Sequence, residues 1–299
     1  MSNALRILVI GRDGQLARAL AAQGNELLTI ICVERPEFDL AKCTPLDPLL
    51  ALHKPHAVIN AAAHTAVDRA ESEPDLAFAL NRDGPSQLAG DCAAADIPMV
   101  HVSTDYVFDG AKTAPYLETD PTCPQSVYGQ SKAEGEQAIL NSRARATILR
   151  TSWVYDAGGA NFVKTMLRLA GERDDIRVVA DQIGRPTWAA DLAHACLIAA
   201  DALIAGRGEA AGVFHYAGEG DASWADLAAA AMQESAARGG ASARITPITT
   251  ADYPTPARRP ANSRLDCTKF TQTFRVAPRP WREALSLCMD EIFNARPPN

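Results

Sequence analysis

The sequence predicts an α/β fold in which a doubly wound parallel sheet is followed by a smaller C-terminal α/β lobe. Short apolar runs recur along residues 1–155 and are typical of buried parallel strands. Segments with helical periodicity separate them, as right-handed strand–helix–strand crossovers require. Beyond these residues the alternation becomes less regular. We therefore expect residues 1–155 to form one domain and 156–299 mainly a second, with segments around 185–215 as candidates for returning to the first.

Length and composition set limits on this interpretation. The 299 residues, 47% of them hydrophobic, suffice for one large domain with a lobe or for two modest domains. The net charge of −7 argues against nucleic acid or an anionic membrane surface as the main partner. The seven cysteines are scattered without a Cys-x-x-Cys pair, which indicates neither a disulfide framework nor a zinc site. Because no signal-peptide pattern and no apolar run of about 18 residues occurs, we expect a cytoplasmic protein.

The first strand, at 5–10, runs directly into a glycine turn and then a helical pattern. Strand, glycine turn and helix in this order are the context that a dinucleotide-binding fingerprint requires. Gly11 would permit the tight turn, and Gly14 would let the backbone approach a pyrophosphate at the helix N-terminus. Ala17 takes the place of the usual third glycine, a change that the motif tolerates.

The second strand, at 27–33, ends at Glu34 and Arg35. An acidic residue about twenty positions after the glycine turn would bind the adenosine ribose hydroxyls. An arginine at the same place would instead bind a 2′-phosphate. Both signals are present, so the choice between NAD and NADP stays open, and a solvated ion pair at a strand end explains the two residues equally well.

The third strand ends at Asn60 and runs into a turn of small residues, 61–63. Small side chains there would let cofactor phosphates and the nicotinamide ribose lie directly on backbone, and the amide of Asn60 would hold the turn in place. Residues 67–95 are helical in composition, with breaks expected at Pro74 and Pro85.

The fourth strand ends at two hydroxyl residues, Ser103 and Thr104, where open α/β sheets bind ligands. A later helix carries Tyr128 and Lys132 four positions apart and therefore on one face. An ammonium group near the phenol would lower its pKa, and a strand-end hydroxyl would hold a carbonyl oxygen against it. This is a site for proton transfer to a ketone that needs neither a metal nor a histidine. Alone, the Tyr-x-x-x-Lys pattern is more often a solvated pair.

A proline-rich segment at 253–266 contains Arg258, Arg259 and Arg264. Guanidinium groups suit diphosphate because their paired N–H donors match its oxygens. A solvated basic loop is the alternative interpretation of this segment.

With these features in this order, the sequence resembles the extended short-chain dehydrogenase/reductases. Longer strings resemble the dTDP-4-dehydrorhamnose reductase family among them; they lie at 61–68, 103–108, 150–155, 164–170, 181–187 and 255–263. The resemblance spans nearly the whole chain. It implies a Rossmann-type domain that binds the dinucleotide and a C-terminal lobe that binds the substrate.

The resemblance also implies an activity, the reduction of the C4 ketone of dTDP-4-dehydro-L-rhamnose by NADPH or NADH. Tyr128 would donate the proton, Lys132 would tune it and bind the nicotinamide ribose, and Thr104, rather than Ser103, would be the catalytic hydroxyl. The implied substrate contacts are Thr104, Asp105, Trp153, Arg258 and Arg259. The implied cofactor contacts are Gly11, Gly14, Gln15, Leu16, Glu34, Arg35, Asp39, Leu40, Ala62, Ala63, Thr65, Val102, Tyr128 and Lys132.

Family members are associated with magnesium and with homodimers, although no cluster of carboxylates in this sequence demands a metal. Two other functions fit the same fold. One is a non-catalytic regulatory subunit, which would not require Tyr128, Lys132 and Thr104 together. The other is an epimerase or dehydratase that keeps its NAD bound and recycles it.

Overall fold

The protein was analysed as a computed structural model that describes residues 4–295. The strands are β1 Leu5–Ile10, β2 Leu28–Val33, β3 Ala57–Asn60, β4 Met99–Thr104, β5 Ala146–Thr151, β6 Val154–Tyr155, β7 Asp175–Val179, β8 Ile183–Gly184, β9 Thr187–Trp188, β10 Gly212–His215, β11 Ala222–Ser223 and β12 Arg244–Ile248. The helices are α1 Gln15–Ala21, α2 Asp47–His53, α3 Val67–Ala70, α4 Pro74–Phe78, α5 Gly84–Ala94, α6 Val127–Asn141, α7 Phe162–Ala170, α8 Ala189–Ile204, α9 Trp224–Ala237, α10 Thr268–Phe274 and α11 Trp281–Asn294.

Six strands form the main sheet in the order β10-β5-β4-β3-β1-β2, and every neighbouring pair is parallel. The predicted doubly wound parallel sheet is confirmed. The direction of winding reverses between β1 and β3, and a reversal of this kind opens a crevice at the carboxyl ends of the strands. The glycine turn after β1 and the small-residue turn after β3 meet at that crevice.

Both faces of the sheet are buried, which explains why its strands are apolar almost throughout. Ile7 and Val9 point to one face, where they pack with residues of α1, α8 and α10. Leu8 and Ile10 point to the other, where residues of α2, α5 and α6 cover them. The alternation of side chains along β1 therefore anchors one helical layer on each side.

A second core lies in the C-terminal half of the chain. It is built from α7, α9 and α11 around the parallel pair of β7 and β12, with Trp188, Met232 and Trp281 among its buried side chains. Between these elements the chain returns to the main sheet, where α8 packs against one face and β10 pairs with β5. Neither β12 nor α11 was predicted from the sequence.

The break predicted at Pro85 coincides with the start of α5. Pro85 lies in the first turn of α5, where a proline is tolerated because the amide hydrogen that it lacks has no helical partner there. One turn of π-helix, Ala79–Asp83, joins α4 to α5 and keeps the segment helical. Pro74 does begin a new helix, α4.

Across residues 4–295 we find no helix with the length and apolar character that crossing a membrane requires.

Candidate active site

A cleft of about 680 Å³ lies at the carboxyl ends of β1, β3 and β4. Its walls come from the glycine turn, the turn after Asn60, the end of β4 and α6, and from Trp153 and Trp224 on the C-terminal side. Its volume falls within the range of small-molecule and cofactor sites. The position is the one that the winding of the sheet favours for a ligand.

The glycine turn leaves open space at the start of α1. Gly11 has φ +117°, a backbone conformation that residues other than glycine rarely adopt. Nothing lies within 4 Å of the position where Gly14 would carry a Cβ, so backbone is accessible there. The Cβ of Ala17 would lie 3.7 Å from a Cβ on Gly11, which is ordinary contact. Alanine in the third position of the motif is thus accommodated by packing.

The turn after β3 is held by side-chain amides. Asn60 Oδ1 accepts a hydrogen bond from the backbone N–H of Ala62 at 3.1 Å, as predicted. Asn81, in the π-helical turn, binds the backbone N–H and carbonyl of His64 at 2.8 and 3.1 Å. Its amide also donates to Ser131 Oγ on α6 at 3.0 Å. The turn that lines the cleft is therefore linked to the helix that carries Tyr128 and Lys132.

Helix α6 begins close to the end of β4. Ser126 caps it by accepting a hydrogen bond from Gly129 N at 3.2 Å. Gly129 packs against the backbone of Tyr106, and any Cβ there would overlap the Tyr106 carbonyl. This close approach brings Tyr128 to the floor of the cleft, 8% exposed, with its ring in edge-to-face contact with Tyr106 at 5.4 Å.

The expectation that Lys132 lowers the pKa of Tyr128 is wrong for this structure. Burial raises the pKa of Tyr128 above its usual value, and a hydrogen bond with Thr104 opposes the rise only in part. The Lys132 amine points toward β4, where it donates to the carbonyl of Val102 at 2.6 Å. The phenol therefore keeps its proton at neutral pH, the state that a proton donor needs.

Asp105, directly after β4, is a second buried acidic group in addition to the Tyr128 phenol. Thr104 Oγ1 donates to Asp105 Oδ1 at 2.9 Å and accepts from the backbone N–H of Tyr106 at 3.2 Å. Burial raises the pKa of Asp105 to about 6, despite hydrogen bonds with Ser263 and Thr104 that favour the carboxylate. A buried carboxyl with a raised pKa thus lies beside Tyr128.

An aromatic wall closes the C-terminal side of the cleft. The Trp153 ring stacks on Trp224 with centroids 3.7 Å apart, and Phe162 leans on Trp224 at 4.7 Å. Trp153 has φ +51°, a costly backbone conformation for a bulky residue. Gly184 permits it, because a Cβ there would collide with the Trp153 ring.

The two arginines of the C-terminal segment have different positions. Arg259 lines the cleft, where it pairs with Asp68 at 2.8 Å and donates to the Tyr106 hydroxyl at 3.1 Å. Arg258 does not line the cleft; it is exposed and donates to Gln125 Oε1 at 3.2 Å. The predicted role of Arg258 in substrate binding therefore finds no support in this arrangement.

The structure gathers the other predicted site residues around this one cleft. They are Gly11, Gly14, Gln15, Leu16, Glu34, Arg35, Asp39, Leu40, Ala62, Ala63, Thr65, Val102, Thr104, Asp105, Tyr128, Lys132, Trp153 and Arg259. Glu34 lies 3.9 Å from Arg12 and shares the outer end of the cleft with Arg35, so both nucleotide-selectivity signals sit together.

The cleft also contains polar atoms suited to a ligand. Within residues 4–295, Gln15 Oε1, Ser103 Oγ and Thr151 Oγ1 are buried and have no hydrogen-bond partner. Buried polar atoms normally have partners, so unpaired ones that line a cleft indicate groups that a ligand would satisfy. With the open backbone at Gly14, they fit a dinucleotide. The described residues contain no group of three or more metal-binding side chains.

Known proteins resemble the chain along its whole length. The family described as "RmlD substrate binding domain" matches residues 5–294. A dTDP-4-dehydrorhamnose reductase of Sinorhizobium fredii is 47% identical, with 94% of this chain and 95% of that protein covered. The chain belongs to the dTDP-4-dehydrorhamnose reductase family. The reductase of that name from Escherichia coli K12 is 39% identical over 97% of this chain and 98% of its own.

Solved structures of this reductase family share the fold. A dTDP-4-dehydrorhamnose reductase from Clostridium acetobutylicum superposes with a TM-score of 0.88 at 36% identity, covering 96% of this chain and 99% of that one. The enzyme from Bacillus anthracis, solved in complex with NADP, gives 0.89 at 32% identity, covering 97% and 100%.

Some cleft residues of this family member were not predicted from its sequence. Trp224 lies 71 positions after its stacking partner Trp153, and no local pattern connects the two. Tyr106 belongs to a string that the sequence analysis did single out, and its position directly after two predicted site residues, Thr104 and Asp105, was a usable signal. Arg12, inside the glycine turn, was another.

Proposed function

We propose that this chain reduces the C4 ketone of dTDP-4-dehydro-L-rhamnose to dTDP-L-rhamnose with NAD(P)H, the final step of dTDP-L-rhamnose biosynthesis. Membership of the reductase family supports the reaction class. The observation that carries the proposal is the convergence of Tyr128, Lys132 and Thr104 on a cleft that begins at a dinucleotide-type glycine turn.

Tyr128 is the proton donor in this proposal. Its raised pKa keeps the hydroxyl protonated, and its burial keeps bulk water from competing for the carbonyl. When the C4 oxygen gains negative charge, the phenol is the acid beside it. Thr104 would hold that oxygen by turning its hydroxyl hydrogen from Asp105 toward it. Bound NAD(P)H supplies the hydride that C4 receives.

Lys132 and the turns around it hold the dinucleotide in our proposal. The amine of Lys132 lies against β4 and would bind the nicotinamide ribose from below. Backbone at Gly14, with Gln15 beside it, would take the pyrophosphate. Glu34 would bind ribose hydroxyls and Arg35 a 2′-phosphate, so both NADH and NADPH are expected to serve.

The nucleotide sugar would lie between the end of β4 and the aromatic wall. Asp105 would accept a hydrogen bond from a sugar hydroxyl, and Trp153 would pack against the ring. Arg259 lines the cleft and pairs with Asp68, and it would meet the diphosphate.

Tyr128→Phe tests the proton donor. We expect kcat to fall by about 10²–10⁴-fold, because the phenyl ring keeps the shape of the site but cannot give a proton. Affinity for NADPH, measured by fluorescence titration, should remain within about twofold. Tyr253→Phe, at an exposed tyrosine, is the matched control and should retain full activity. An unchanged turnover rate in Tyr128→Phe contradicts the proposed role.

A coupled assay separates the reductase from the two other functions. We expect one NADPH or NADH to be consumed per dTDP-4-dehydro-L-rhamnose, followed by absorbance at 340 nm. An epimerase or dehydratase would carry bound NAD and consume none. A regulatory subunit would not turn the sugar over at all. Running the two cofactors separately reports which one the Glu34 and Arg35 end of the cleft prefers.

We further propose that the reaction takes place in the cytoplasm, because the seven cysteines are all free thiols and suit a reducing compartment. A homodimer, which the resemblance implies, is tested by sedimentation velocity of the purified chain. Assay with and without EDTA tests magnesium; we expect EDTA to leave turnover unchanged.

A further inference from the structure

The segment 181–187 contacts both tryptophans of the aromatic wall. Gly184 lies against the Trp153 indole, where a Cβ would collide with ring atoms Cε2 and Cζ2. Gln182 is 5% exposed, and its Oε1 accepts the indole N–H of Trp224 at 3.2 Å. No residue of 181–187 lines the cleft itself. This segment therefore acts on the cleft through the two indoles.

Hydrogen bonds fix which end of the Gln182 amide faces Trp224. The Asp181 carboxylate accepts the backbone N–H and the hydroxyl of Thr250 at 2.8 and 2.7 Å. Burial raises the pKa of Asp181, but the bonds from Thr250 outweigh it and hold the pKa below its usual value, so at neutral pH this carboxylate only accepts. The hydroxyl hydrogen of Thr250 is thus used, and its oxygen accepts from Gln182 Nε2 at 3.1 Å. The oxygen of Gln182 is left for Trp224, whose indole nitrogen can only donate.

The backbone of Trp224 is fixed as well. Trp224 is the first residue of α9, and Ser223 and Asp226 form a capping box around it. Ser223 also pairs with Ile183 in the short antiparallel ladder of β11 and β8. Phe162 packs on the Trp224 ring with centroids 4.7 Å apart. The Trp224 ring is therefore held at its backbone, at its N–H and by a neighbouring ring.

Trp153 is held differently. Its φ of +51° lies in a region that bulky residues rarely occupy. Its ring is held by packing, because it stacks on Trp224 with centroids 3.7 Å apart and planes 11° apart, and Gly184 leaves room for it. Both indoles line the cleft. The plane of the Trp153 ring thus follows that of Trp224.

Building on the proposed function, in which the sugar packs against Trp153, we propose that Gln182 and Trp224 are positioning residues for the sugar end of the substrate. Gln182 fixes the indole of Trp224, and Trp224 sets the plane of the Trp153 ring. A wall that is already in place spares the ligand the cost of ordering it. Arg259, which would meet the diphosphate, is not part of this wall. The support should therefore matter for binding of the sugar and not for binding of the nucleotide alone.

The first test reads the stacked indoles directly. Stacked indoles couple their electronic transitions and give a pair of circular dichroism bands of opposite sign in the far ultraviolet. We expect this couplet in the wild type, its loss in Trp153→Phe and Trp224→Phe, and a weaker couplet in Gln182→Leu. Gln137→Leu, at an exposed glutamine that bonds to Asn141, is the matched control and should keep the couplet. A wild-type couplet in Gln182→Leu overturns the anchoring role.

The second test separates the sugar from the nucleotide. Isothermal titration calorimetry compares dTDP-L-rhamnose with dTDP at saturating NADPH, since product and reduced cofactor cannot react. We expect the Kd of dTDP-L-rhamnose to rise about threefold to tenfold in Trp224→Leu and Gln182→Leu, and that of dTDP to stay within about twofold. Trp224→Phe, which keeps a ring for Trp153 to stack on, should recover part of the affinity. An equal loss for both ligands, or none for either, contradicts the proposal.

This proposal and the proposed function fail in different measurements. If the wild type neither oxidises NADPH with the keto sugar nor binds dTDP-L-rhamnose, the proposed function is lost, and the couplet in Gln182→Leu still decides whether this residue anchors the wall. In an active enzyme we expect Gln182→Leu to raise KM for the keto sugar and to leave KM for NADPH unchanged. An active Gln182→Leu with both KM values of the wild type removes the positioning role alone.

Discussion

At the scale of single residues, burial decides the chemistry of this site more than charge pairing does. Asp105 is 3% exposed, and its pKa is raised to about 6. Its residue type and place after a strand were readable from the sequence. The sign of its pKa shift was not, because desolvation depends on which distant segments cover it, here including Ser263.

This raised pKa predicts how stability depends on pH. Below about pH 4 both folded and unfolded states hold the proton, and between about pH 4 and 6 only the folded state does. Folding stability attributable to Asp105 therefore falls as pH rises through this window, by about 2–3 kcal/mol in total. Asp105→Asn should remove the fall and be more stable than wild type at pH 7 but not at pH 4, in urea unfolding.

Asp109→Asn is the control for that prediction. A hydrogen bond from the Tyr116 hydroxyl holds the pKa of Asp109 below its usual value, so the carboxylate stabilises the folded state above the unfolded pKa. The difference between this variant and wild type should change with pH in the opposite sense. A pH-independent difference for Asp105→Asn would show that its carboxyl titrates normally.

The position of Tyr128 and Lys132 on one helix face was predictable, because it follows from their spacing. The directions in which the site side chains point were not predictable. Lys132 turns to Val102 and His101, and Arg258 turns outward to Gln125, through contacts between residues far apart in the chain. Spacing along one element carries no information on such contacts.

At the scale of elements, the sequence predicted the strands of the main sheet well, since each is an apolar run bounded by turn residues. It failed where packing decides the local geometry. The π-helical turn Ala79–Asp83 is such a case: Asn81 lies in it and bonds to both the His64 turn and Ser131. Helical composition alone could not distinguish this turn from an α-helical one.

Helix α6 meets this turn at Gly135. A Cβ on Gly135 would overlap the Asn81 carbonyl. Gly135→Ala should therefore lose about 1–3 kcal/mol of stability through overpacking, and displacement of Asn81 should lower kcat. Gly90→Ala is the matched control, because Gly90 lies in α5 with nothing within 4 Å of the added Cβ.

For Gly90→Ala we expect a gain of about 0.5–1 kcal/mol, since alanine loses less backbone freedom in a helix than glycine. Chemical denaturation measures both variants. If both substitutions change the free energy of unfolding alike, the close approach of α6 to the π-helical turn does not require glycine at 135.

At the scale of the whole molecule, one buried ion pair joins several parts. Arg150 on β5 binds Glu136 on α6 through two N–H groups, with the side chains 5% and 4% exposed. Its guanidinium also lies 5.0 Å from the Phe108 ring and 3.4 Å from His215 Nε2 on β10. Burial and Arg150 lower the pKa of His215 to about 3, so that ring stays neutral.

No pattern in the sequence indicates this network, although the strands and the helix that carry Arg150, Glu136 and His215 were predicted. Glu136 and Arg150 are 14 positions apart on different elements, and each alone is typical of a solvated charge. Their burial follows from stacking α6 on the sheet beneath the long segment after Phe108. Only the assembled chain encloses them.

Removing one charge of this pair should be far more costly than removing both. Arg150→Met leaves the Glu136 carboxylate buried without its partner, and we expect a loss of about 3–5 kcal/mol. Adding Glu136→Leu should restore part of that loss, because two apolar side chains need no desolvated charge between them. Arg168→Met, at an exposed pair with Glu172, should cost less than about 1 kcal/mol. Urea unfolding of wild type, Arg150→Met, Glu136→Leu and the double variant gives the cycle. A double variant as unstable as the sum of its two single changes would mean that the two charges act independently.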